Sequence, residues 1–214
     1  MVKAADRRIL WLMRHGALAA EHDGKLVGAS DLPLSQRGID DVQTASTFLI
    51  RQGPFGTILA SPKLRVRQTV DAVLTPELRH DVVFDPVLSE TDFGAWEGLT
   101  IAEAARRDPE CFAAWASGRD EFTFPGGESM TSFNARIAAL KDRLVADAAE
   151  KMLLFTHGGV ILGLLCAFLG LPRNKMVAFK LERGALCRID IFPGGLGALV
   201  AFNLKPGDFA PKEN

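Results

Sequence analysis

Short apolar runs alternate with amphipathic stretches along most of this chain. The apolar runs are only a few residues long, and each ends at a turn or glycine signal, as is typical of strands buried on both faces. Strands are therefore predicted over residues 8–13, 57–60 and 152–156, with a weaker one over 82–84 and a pair joined by an edge turn over 185–192 and 198–203.

The stretches between these runs carry apolar residues at three- and four-residue spacing, which predicts helices with one buried face. One helix is predicted to begin after Ser35 and to extend through Leu49, and another to begin after Ser129, since serine is a favoured N-cap. A third is predicted from Pro62, at a first-turn position, to Pro76. Strands that alternate with helices indicate an α/β fold: a three-layer sandwich in which a mostly parallel, mixed sheet has helices on both faces.

The segment from Thr91 to Gly127 has a different pattern. Its aromatic residues lie among charges and Gly or Pro breakers: Trp96, Phe112, Trp115, Phe122 and Phe124. We expect a small helical cap over the carboxyl end of the sheet, the alternative being a surface excursion with aromatic rings packed beneath it. The length fits one domain over 1–214, with a loose tail from about residue 205.

Composition and charge remove several classes of protein. With 48% hydrophobic and 24% charged residues, a net charge of −1 and a pI of about 6.4, the chain is ordinary for a globular protein and lacks a positive field that would hold nucleic acid. The apolar run after Arg8 is too short for a signal peptide, and His157 and glycines interrupt the apolar region over 152–170, so neither export nor a membrane span is expected. Three cysteines without a CxxC pair favour reduced thiols and a cytoplasmic location.

Two of the four histidines share a local setting that predicts a ligand site. His15 follows a predicted strand and precedes Gly16, and His157 follows another and precedes Gly158. The carboxyl ends of strands in an open α/β sheet border the ligand crevice, so we expect both imidazoles there. Arg14 beside His15 favours the neutral imidazole, whose lone pair can attack phosphorus. Because a guanidinium can also bind phosphoryl oxygens, these residues point to phosphate chemistry.

Other candidate side chains stay undecided on spacing alone. Arg65 and Arg67 follow the second predicted strand, but residues two apart on a helix point in different directions, so only one can face the crevice. A loop rich in glycine and acids contains Glu90, Asp92 and Glu97, and any of the three can be the proton donor to a leaving oxygen.

Metal and nucleotide sites lack their usual motifs. The chain has no HExxH, no His-x-His and no Cys/His cluster, which disfavours a catalytic metal. Neither GxGxxG nor GxxxxGK[ST] follows a strand, which disfavours dinucleotide or P-loop binding. We therefore expect no metal and no cofactor.

Six short motifs follow one another along most of the chain. They are Arg14-His15-Gly16, Gly28 with residues 31–35, Ser61-Pro62 with Arg65, Glu90 with residues 94–98, residues 125–129, and residues 156–159. Together they resemble the motifs of the histidine phosphatase superfamily, which includes cofactor-dependent phosphoglycerate mutases and α-ribazole phosphatases. The resemblance implies the fold of that family and a phosphatase that needs no metal.

The resemblance also implies roles for individual residues. His15 is the nucleophile that forms a phosphohistidine. Arg14, Arg65 and His157 hold the phosphoryl oxygens and stabilise their charge. Glu90 protonates the departing oxygen and later takes a proton from water. Arg65, rather than Arg67, is thereby expected at the site.

Further residues are expected at the bound phosphate or substrate. The matching motifs imply this for Gly16, Gly28 and Gly158, and Glu21 stands near a position where the family often has Asn. A carboxylate at Glu21 would repel a second phosphate, which argues against doubly phosphorylated sugars.

Within the superfamily the chain resembles phosphatases more than mutases, which carry a longer insertion between the acid and the second histidine. Residues 125–129 and 157–161 are most similar to those of bacterial α-ribazole phosphatases. We therefore expect a phosphomonoesterase for a small phosphorylated metabolite such as α-ribazole 5′-phosphate, with no nucleic-acid or membrane partner. A phosphoglycerate mutase and a catalytically silent binding module of the same fold are the alternatives, and the oligomeric state is left open, a dimer included.

Overall fold

The computed structural model describes residues 7–205 and 208, and its centre is a six-stranded mixed sheet. The strands are β1 (Arg8–Arg14), β2 (Thr57–Ala60), β3 (Val82–Phe84), β4 (Lys151–Thr156), β5 (Leu186–Ile191) and β6 (Gly197–Leu204). Their order is β3-β2-β4-β1-β5-β6. β1 to β4 run parallel, whereas β5 is antiparallel to β1 and β6 is antiparallel to β5. The predicted strands are confirmed, and no strand end differs from its prediction by more than one residue.

The central strands β1 and β4 are buried on both faces. Along β1, Trp11 and Met13 belong to one hydrophobic core cluster, whereas Leu10 and Leu12 belong to the other. Successive side chains of a strand point to opposite faces, so a strand between two helical layers needs apolar residues at every position. The continuous apolar run of β1 follows from this.

The described part of the chain has eight α-helices. They are α1 (Gln36–Gln43), α2 (Ser46–Gln52), α3 (Leu64–Val73), α4 (Pro76–Arg79), α5 (Ile101–Arg107), α6 (Pro109–Ala116), α7 (Met130–Ala146) and α8 (Gly158–Leu169). Helices α1 to α3 pack on one face of the sheet, through residues such as Val42 and Val70. Helices α7 and α8 pack on the other face, through residues such as Phe133 and Leu164. The three-layer sandwich is confirmed.

Three helix boundaries differ from the prediction, and one of them is the end of α3, which lies at Val73 because Pro76 begins α4. Ser35 caps α1 as expected, but the helix predicted through Leu49 is divided at Thr44 into α1 and α2. The Ala45 amide donates to the Val42 carbonyl at 3.0 Å, a three-residue bond that tightens the turn there.

The start of α3 was also predicted too early. Pro62 lies before the N-cap residue Lys63, and the helix begins at Leu64. The Leu64 amide donates to Asp31 Oδ1 at 2.7 Å, so a residue from a distant loop caps this helix.

A cluster of aromatic rings forms the centre of the cap over residues 91–127. Trp96 is 1% exposed, and its ring centroid lies within 6.1 Å of four others: Phe112, Trp115, Phe122 and Phe124. These rings join the core cluster on the side of α7 and α8. The segment is therefore attached to the core through its aromatic rings, and its role as a cap stays a prediction.

Apart from Lys205 and Asp208, the expected loose tail lies outside the described residues, and the single domain over 1–214 stays a prediction. Among the described helices, none combines the length and the apolar character that crossing a membrane requires.

Replacing a residue of β4 tests the sheet order. Leu154 is fully buried at the centre of the sheet, and Leu154→Ala should lower the free energy of unfolding by about 2–5 kcal/mol, because it removes buried methyl groups and leaves a cavity. Val200→Ala, at a position 51% exposed on β6, is the control and should cost less than about 1 kcal/mol. Urea denaturation measures both, and equal losses would contradict the central position of β4.

Candidate active site

The register of β1 and β4 brings the two strand-end histidines together. Arg14 pairs with Thr156 in the sheet, and the His15 amide donates to the Thr156 carbonyl at 3.0 Å. His157 is the next residue after Thr156, and the imidazole rings of His15 and His157 have centroids 5.3 Å apart. Both side chains are buried.

Hydrogen bonding fixes the tautomer of His15. Its Nδ1 lies 2.8 Å from the Gly16 carbonyl oxygen. Because a carbonyl only accepts, Nδ1 carries the hydrogen and the lone pair is on Nε2. Burial, together with the positive charges of Arg14 and Arg65, holds the pKa of His15 well below its ordinary value of 6.5. His15 is therefore a neutral imidazole whose Nε2 can act as a nucleophile.

Glycines at the two strand ends allow close backbone approaches. A Cβ at Gly16 would lie 2.6 Å from the Gly38 carbonyl oxygen, so a larger residue would push the loop after β1 away from α1. A Cβ at Gly158 would lie 3.2 Å from Arg14 Cζ. Gly158 thus lets the Arg14 guanidinium lie against the start of α8.

His157 is the N-cap residue of α8 and is fully buried. Its Nε2 lies 2.8 Å from Ser61 Oγ, which also accepts from the Lys63 amide at 3.4 Å. A serine hydroxyl has two acceptor sites and one donor, so Ser61 pairs with either tautomer of His157, and the bond fixes the position of the ring rather than that of its hydrogen. Burial, reinforced by His15 and the neighbouring cations, holds the pKa of His157 well below 6.5.

The structure distinguishes Arg65 from Arg67. Arg65 is 0% exposed, and its guanidinium donates to three carbonyls of one loop: Val27 at 3.3 Å, Gly28 at 3.0 Å and Ser30 at 2.7 Å. Arg67 is exposed, and its guanidinium lies over the Phe84 ring, 4.2 Å from the centroid. Arg65 is thus the one that lies among the buried side chains around His15.

Gly28 contacts Arg65 through its backbone. A Cβ at Gly28 would lie 1.7 Å from the Thr91 carbonyl oxygen, so only glycine fits there. Its carbonyl accepts from Arg65, and its amide donates to Glu97 at 2.9 Å. The structure therefore puts Gly28 behind Arg65, where its carbonyl supports the guanidinium, and a contact of Gly28 with substrate stays a prediction.

Buried donors without a protein partner are concentrated around His15. Among the described residues, four buried side-chain nitrogens lack one: Arg14 Nε, Arg65 Nε, His157 Nδ1 and Trp96 Nε1. Buried N–H groups are normally paired, and the two arginine nitrogens are N–H groups of the side chains whose positive charge lowers the pKa of His15. Donors of this kind suit the oxygens of a phosphoryl group.

Arg14 keeps its charge although it is buried. Its Nη1 donates to the Leu181 carbonyl, which orients the guanidinium. Burial lowers the pKa of Arg14 from its ordinary value to about 10, and Glu90 opposes that decrease. Arg14 is therefore a cation at neutral pH.

The three acids of the loop after β3 have different partners. Glu90 lines the crevice, and its Oε2 accepts from the Gly159 amide at 2.9 Å. Asp92 accepts from the Gly94 amide. Glu97 accepts from the amides of residues 28–30, which it holds as one loop. Of the three, Glu90 is the acid that lines the crevice beside His15.

Glu21 is not brought to the crevice. The crevice beside His15 is lined by Arg14, His15, Leu18, Lys25, Leu26, Val27, Glu90, Phe93 and Arg183. Glu21 is exposed on a 3₁₀ turn, Ala20–His22, which directs it to solvent. The expectation that Glu21 repels a second phosphate therefore has no support in this geometry.

Sequence reasoning missed Lys25 and Arg183. Arg183 donates to Asp23 Oδ1 at 2.8 Å, and the next residue, Gly184, donates its amide to the His15 carbonyl at 2.9 Å. Because β5 is antiparallel to β1, the residues before β5 lie at the same sheet edge as the residues after β1. The direction of β5 is the feature that could have located them. The local sequence pattern predicts a hairpin at the sheet edge, but it does not show whether β5 runs parallel or antiparallel to β1.

Comparison with known proteins gives the class of enzyme. Residues 10–205 match the family model of the histidine phosphatase superfamily (branch 1), and the chain belongs to this family. The chain is accordingly a phosphatase, and its two imidazoles lie at the ends of β1 and β4 in the mixed sheet.

Relatives within the family are similar over most of their length. The adenosylcobalamin/alpha-ribazole phosphatase of Salmonella typhimurium is 32% identical over 186 residues, which cover 86% of this chain and 91% of that protein. The "Probable phosphoglycerate mutase" of Yersinia pestis is 30% identical over 182 residues, which cover 85% of this chain and 84% of that protein. The crystal structure of the alpha-ribazole phosphatase from Shigella flexneri has a TM-score of 0.79 and 30% identity, and covers 91% of this chain and 96% of that one.

The two neutral imidazoles should make stability depend on pH below neutrality. In the unfolded chain His15 and His157 take up protons as the pH falls through about 6.5, whereas in the folded protein both stay neutral to lower pH. The unfolded state then binds more protons. The free energy of unfolding should therefore decrease as the pH falls from about 7 to 5, by up to about 1.4 kcal/mol per pH unit for each imidazole.

Urea denaturation in phosphate-free buffer measures this slope, and two variants calibrate it. His15→Gln should reduce the slope of the unfolding free energy against pH by at most the contribution of one imidazole. His80→Gln, which changes an exposed histidine between α4 and β3, should leave it unchanged. An unchanged slope in His15→Gln would show that His15 is not held neutral.

Proposed function

We propose that this protein is a phosphomonoesterase that works through a phosphohistidine on His15. The observation that carries the proposal is the orientation of the His15 ring, because donation from Nδ1 to the Gly16 carbonyl at 2.8 Å leaves the lone pair on Nε2. The unpartnered N–H groups of Arg14 and Arg65 supply donors for the oxygens of the transferred group, and His157 adds a third in the tautomer that carries its hydrogen on Nδ1.

In the first step, His15 Nε2 attacks phosphorus, and the bond between phosphorus and the ester oxygen breaks. Arg14 and Arg65 balance the charge on the phosphoryl oxygens, which is a task that a metal ion performs in other phosphatases. Glu90 gives its proton to the departing oxygen, so that the alcohol leaves uncharged. The enzyme then holds a phosphohistidine and a Glu90 carboxylate.

In the second step, Glu90 takes a proton from water, and the oxygen of that water attacks phosphorus. The bond between phosphorus and Nε2 breaks, phosphate leaves, and His15 returns to the neutral imidazole. Glu90 is again a carboxylic acid, ready for the next ester. We expect the whole cycle to run without a metal or an organic cofactor.

The substrate in this proposal is a small phosphorylated metabolite. Relatives named as α-ribazole phosphatases support α-ribazole 5′-phosphate as a candidate. A phosphoglycerate mutase is the second candidate, because a relative of that name is 30% identical. Incubation with 3-phosphoglycerate and a trace of 2,3-bisphosphoglycerate separates the two: formation of the 2-isomer without release of phosphate favours the mutase.

Removal of the nucleophile tests the covalent mechanism. His15→Ala should slow hydrolysis of p-nitrophenyl phosphate by about 10³-fold or more, since only binding and electrostatic effects remain. In the wild type, alkaline quenching during turnover should trap phosphate on His15 as an acid-labile, alkali-stable adduct, which mass spectrometry can locate.

The control for this experiment is His80→Ala, which should keep wild-type turnover and the phosphorylated intermediate. Excess chelator should leave the wild-type rate unchanged. Full inhibition by chelator, or an adduct that persists in His15→Ala, would reject the mechanism.

Gly159→Ala tests the role of Glu90. A Cβ at residue 159 would lie 2.4 Å from Glu90 Oε1, the far end of a side chain, so the substitution displaces the carboxyl group while the backbone stays in place. We expect kcat for an alkyl phosphate, whose leaving oxygen needs a proton, to fall about 10²-fold or more. The good leaving group of p-nitrophenyl phosphate should make its loss much smaller.

Glu90→Gln should show the same difference between the two esters, and thermal unfolding of Gly159→Ala should stay near that of the wild type. Equal losses on both esters would argue against Glu90 as the acid.

A further inference from the structure

A second cavity adjoins the crevice beside Glu90. It encloses about 330 Å³, which is within the range of small-molecule sites. Leu26, Glu90 and Phe93 line both this cavity and the crevice at His15, so the two spaces meet at these side chains. We call this space the alcohol cavity, for the reason argued below.

The walls of the alcohol cavity are mainly apolar and come from segments far apart in the sequence. They belong to the cap, to the start of α7 and to a 3₁₀ segment, Arg173–Ala178: Trp115, Phe124, Met130, Phe133, Met176 and Val177. Aromatic and aliphatic walls of this kind favour an apolar ligand group, because its burial removes apolar surface from water.

The charged side chains of the alcohol cavity are already paired. Arg173 donates from Nε to Asp120 Oδ1 at 3.1 Å and from Nη2 to the Gly118 carbonyl at 3.0 Å. Glu90 accepts from the Gly159 amide. A carboxylate or a second phosphate placed among the rings would lose its hydration without gaining an unpaired cation. The lining therefore disfavours an anionic group.

We propose that the alcohol cavity binds the leaving half of the substrate and selects phosphate monoesters whose alcohol carries an aromatic ring or another apolar group. This inference rests on the proposed function, in which Glu90 protonates the ester oxygen. The carbon attached to that oxygen must then start beside Glu90, where the cavity opens. Trp115 in the wall and Val177 at the mouth, which is 84% exposed, are the side chains expected to determine the selection.

Two esters with equally reactive leaving groups test the proposal. 3-Phenylpropyl phosphate and propyl phosphate differ only by a phenyl ring, and the wild-type kcat/KM should be at least tenfold higher for the phenyl ester. Val177→Asp should bring this ratio toward 1, and Trp115→Leu should lower it several-fold. Leu196→Asp, at a 62% exposed position in the turn between β5 and β6, is the matched control and should keep the wild-type ratio.

Equal kcat/KM values for the two esters in the wild type would overturn the alcohol cavity and leave the phosphatase mechanism intact. If neither ester is hydrolysed, the proposed function fails, and titration calorimetry with the two corresponding phosphonates decides on the cavity. Tighter binding of 3-phenylpropylphosphonate, abolished in Val177→Asp, would support it. Equal affinities for the two phosphonates would overturn it.

Discussion

The pairing of β1 with β4 is the constraint on which the site depends. Because the two strands are parallel and Arg14 pairs with Thr156, both leave the sheet at the same level. The His15 amide still bonds to the Thr156 carbonyl, and His157 begins α8 at the next residue. A shift of this register by one residue would turn a whole strand's side chains to the opposite face and separate the two imidazoles. The apolar side chains that fix the register therefore also fix the chemistry.

A buried positive charge is the second requirement of the site. Backbone carbonyls of one loop accept from the Arg65 guanidinium, so no carboxylate has to take their place. Glu97 accepts from the amides of residues 28–30 at 2.9 to 3.3 Å, while carbonyls of the same loop accept from Arg65. Carbonyl oxygens satisfy the guanidinium donors without adding a formal negative charge. A carboxylate in the same place would have neutralised Arg65 and weakened its attraction for a phosphoryl group. Glu97 thus supports Arg65 through the backbone that it holds, and its negative charge also raises the pKa of Arg65.

The local pattern of apolar residues was sufficient to predict the strands. Most features of the site depend on contacts between residues far apart in the sequence, which local patterns do not show. The apolar runs located the strands because the inner ones are buried on both faces. Spacing could not choose between Arg65 and Arg67, since the direction of each depends on the start of α3, and Asp31 caps that helix from 33 residues away. The resemblance of the motifs made that choice. The three acids after β3 are alike in sequence and differ only in their partners, and Arg183 reaches the crevice because β5 runs antiparallel to β1.

The bond between Glu90 and Gly159 links the two halves of the proposed reaction. His157, which would hold the transferred group, and Gly159, which holds the acid at 2.9 Å, lie at the start of the same helix. In the proposed reaction, the start of α8 therefore sets the position of the acid relative to the side chain that holds the phosphoryl oxygens, as catalysis by a positioned acid requires. The cap and the 3₁₀ segment over residues 173–178 shape the space beyond Glu90, and neither lines the crevice at His15 apart from the shared Phe93. In the proposed reaction, bond breaking and selection of the alcohol thus fall to different parts of the chain, which meet at Leu26, Glu90 and Phe93.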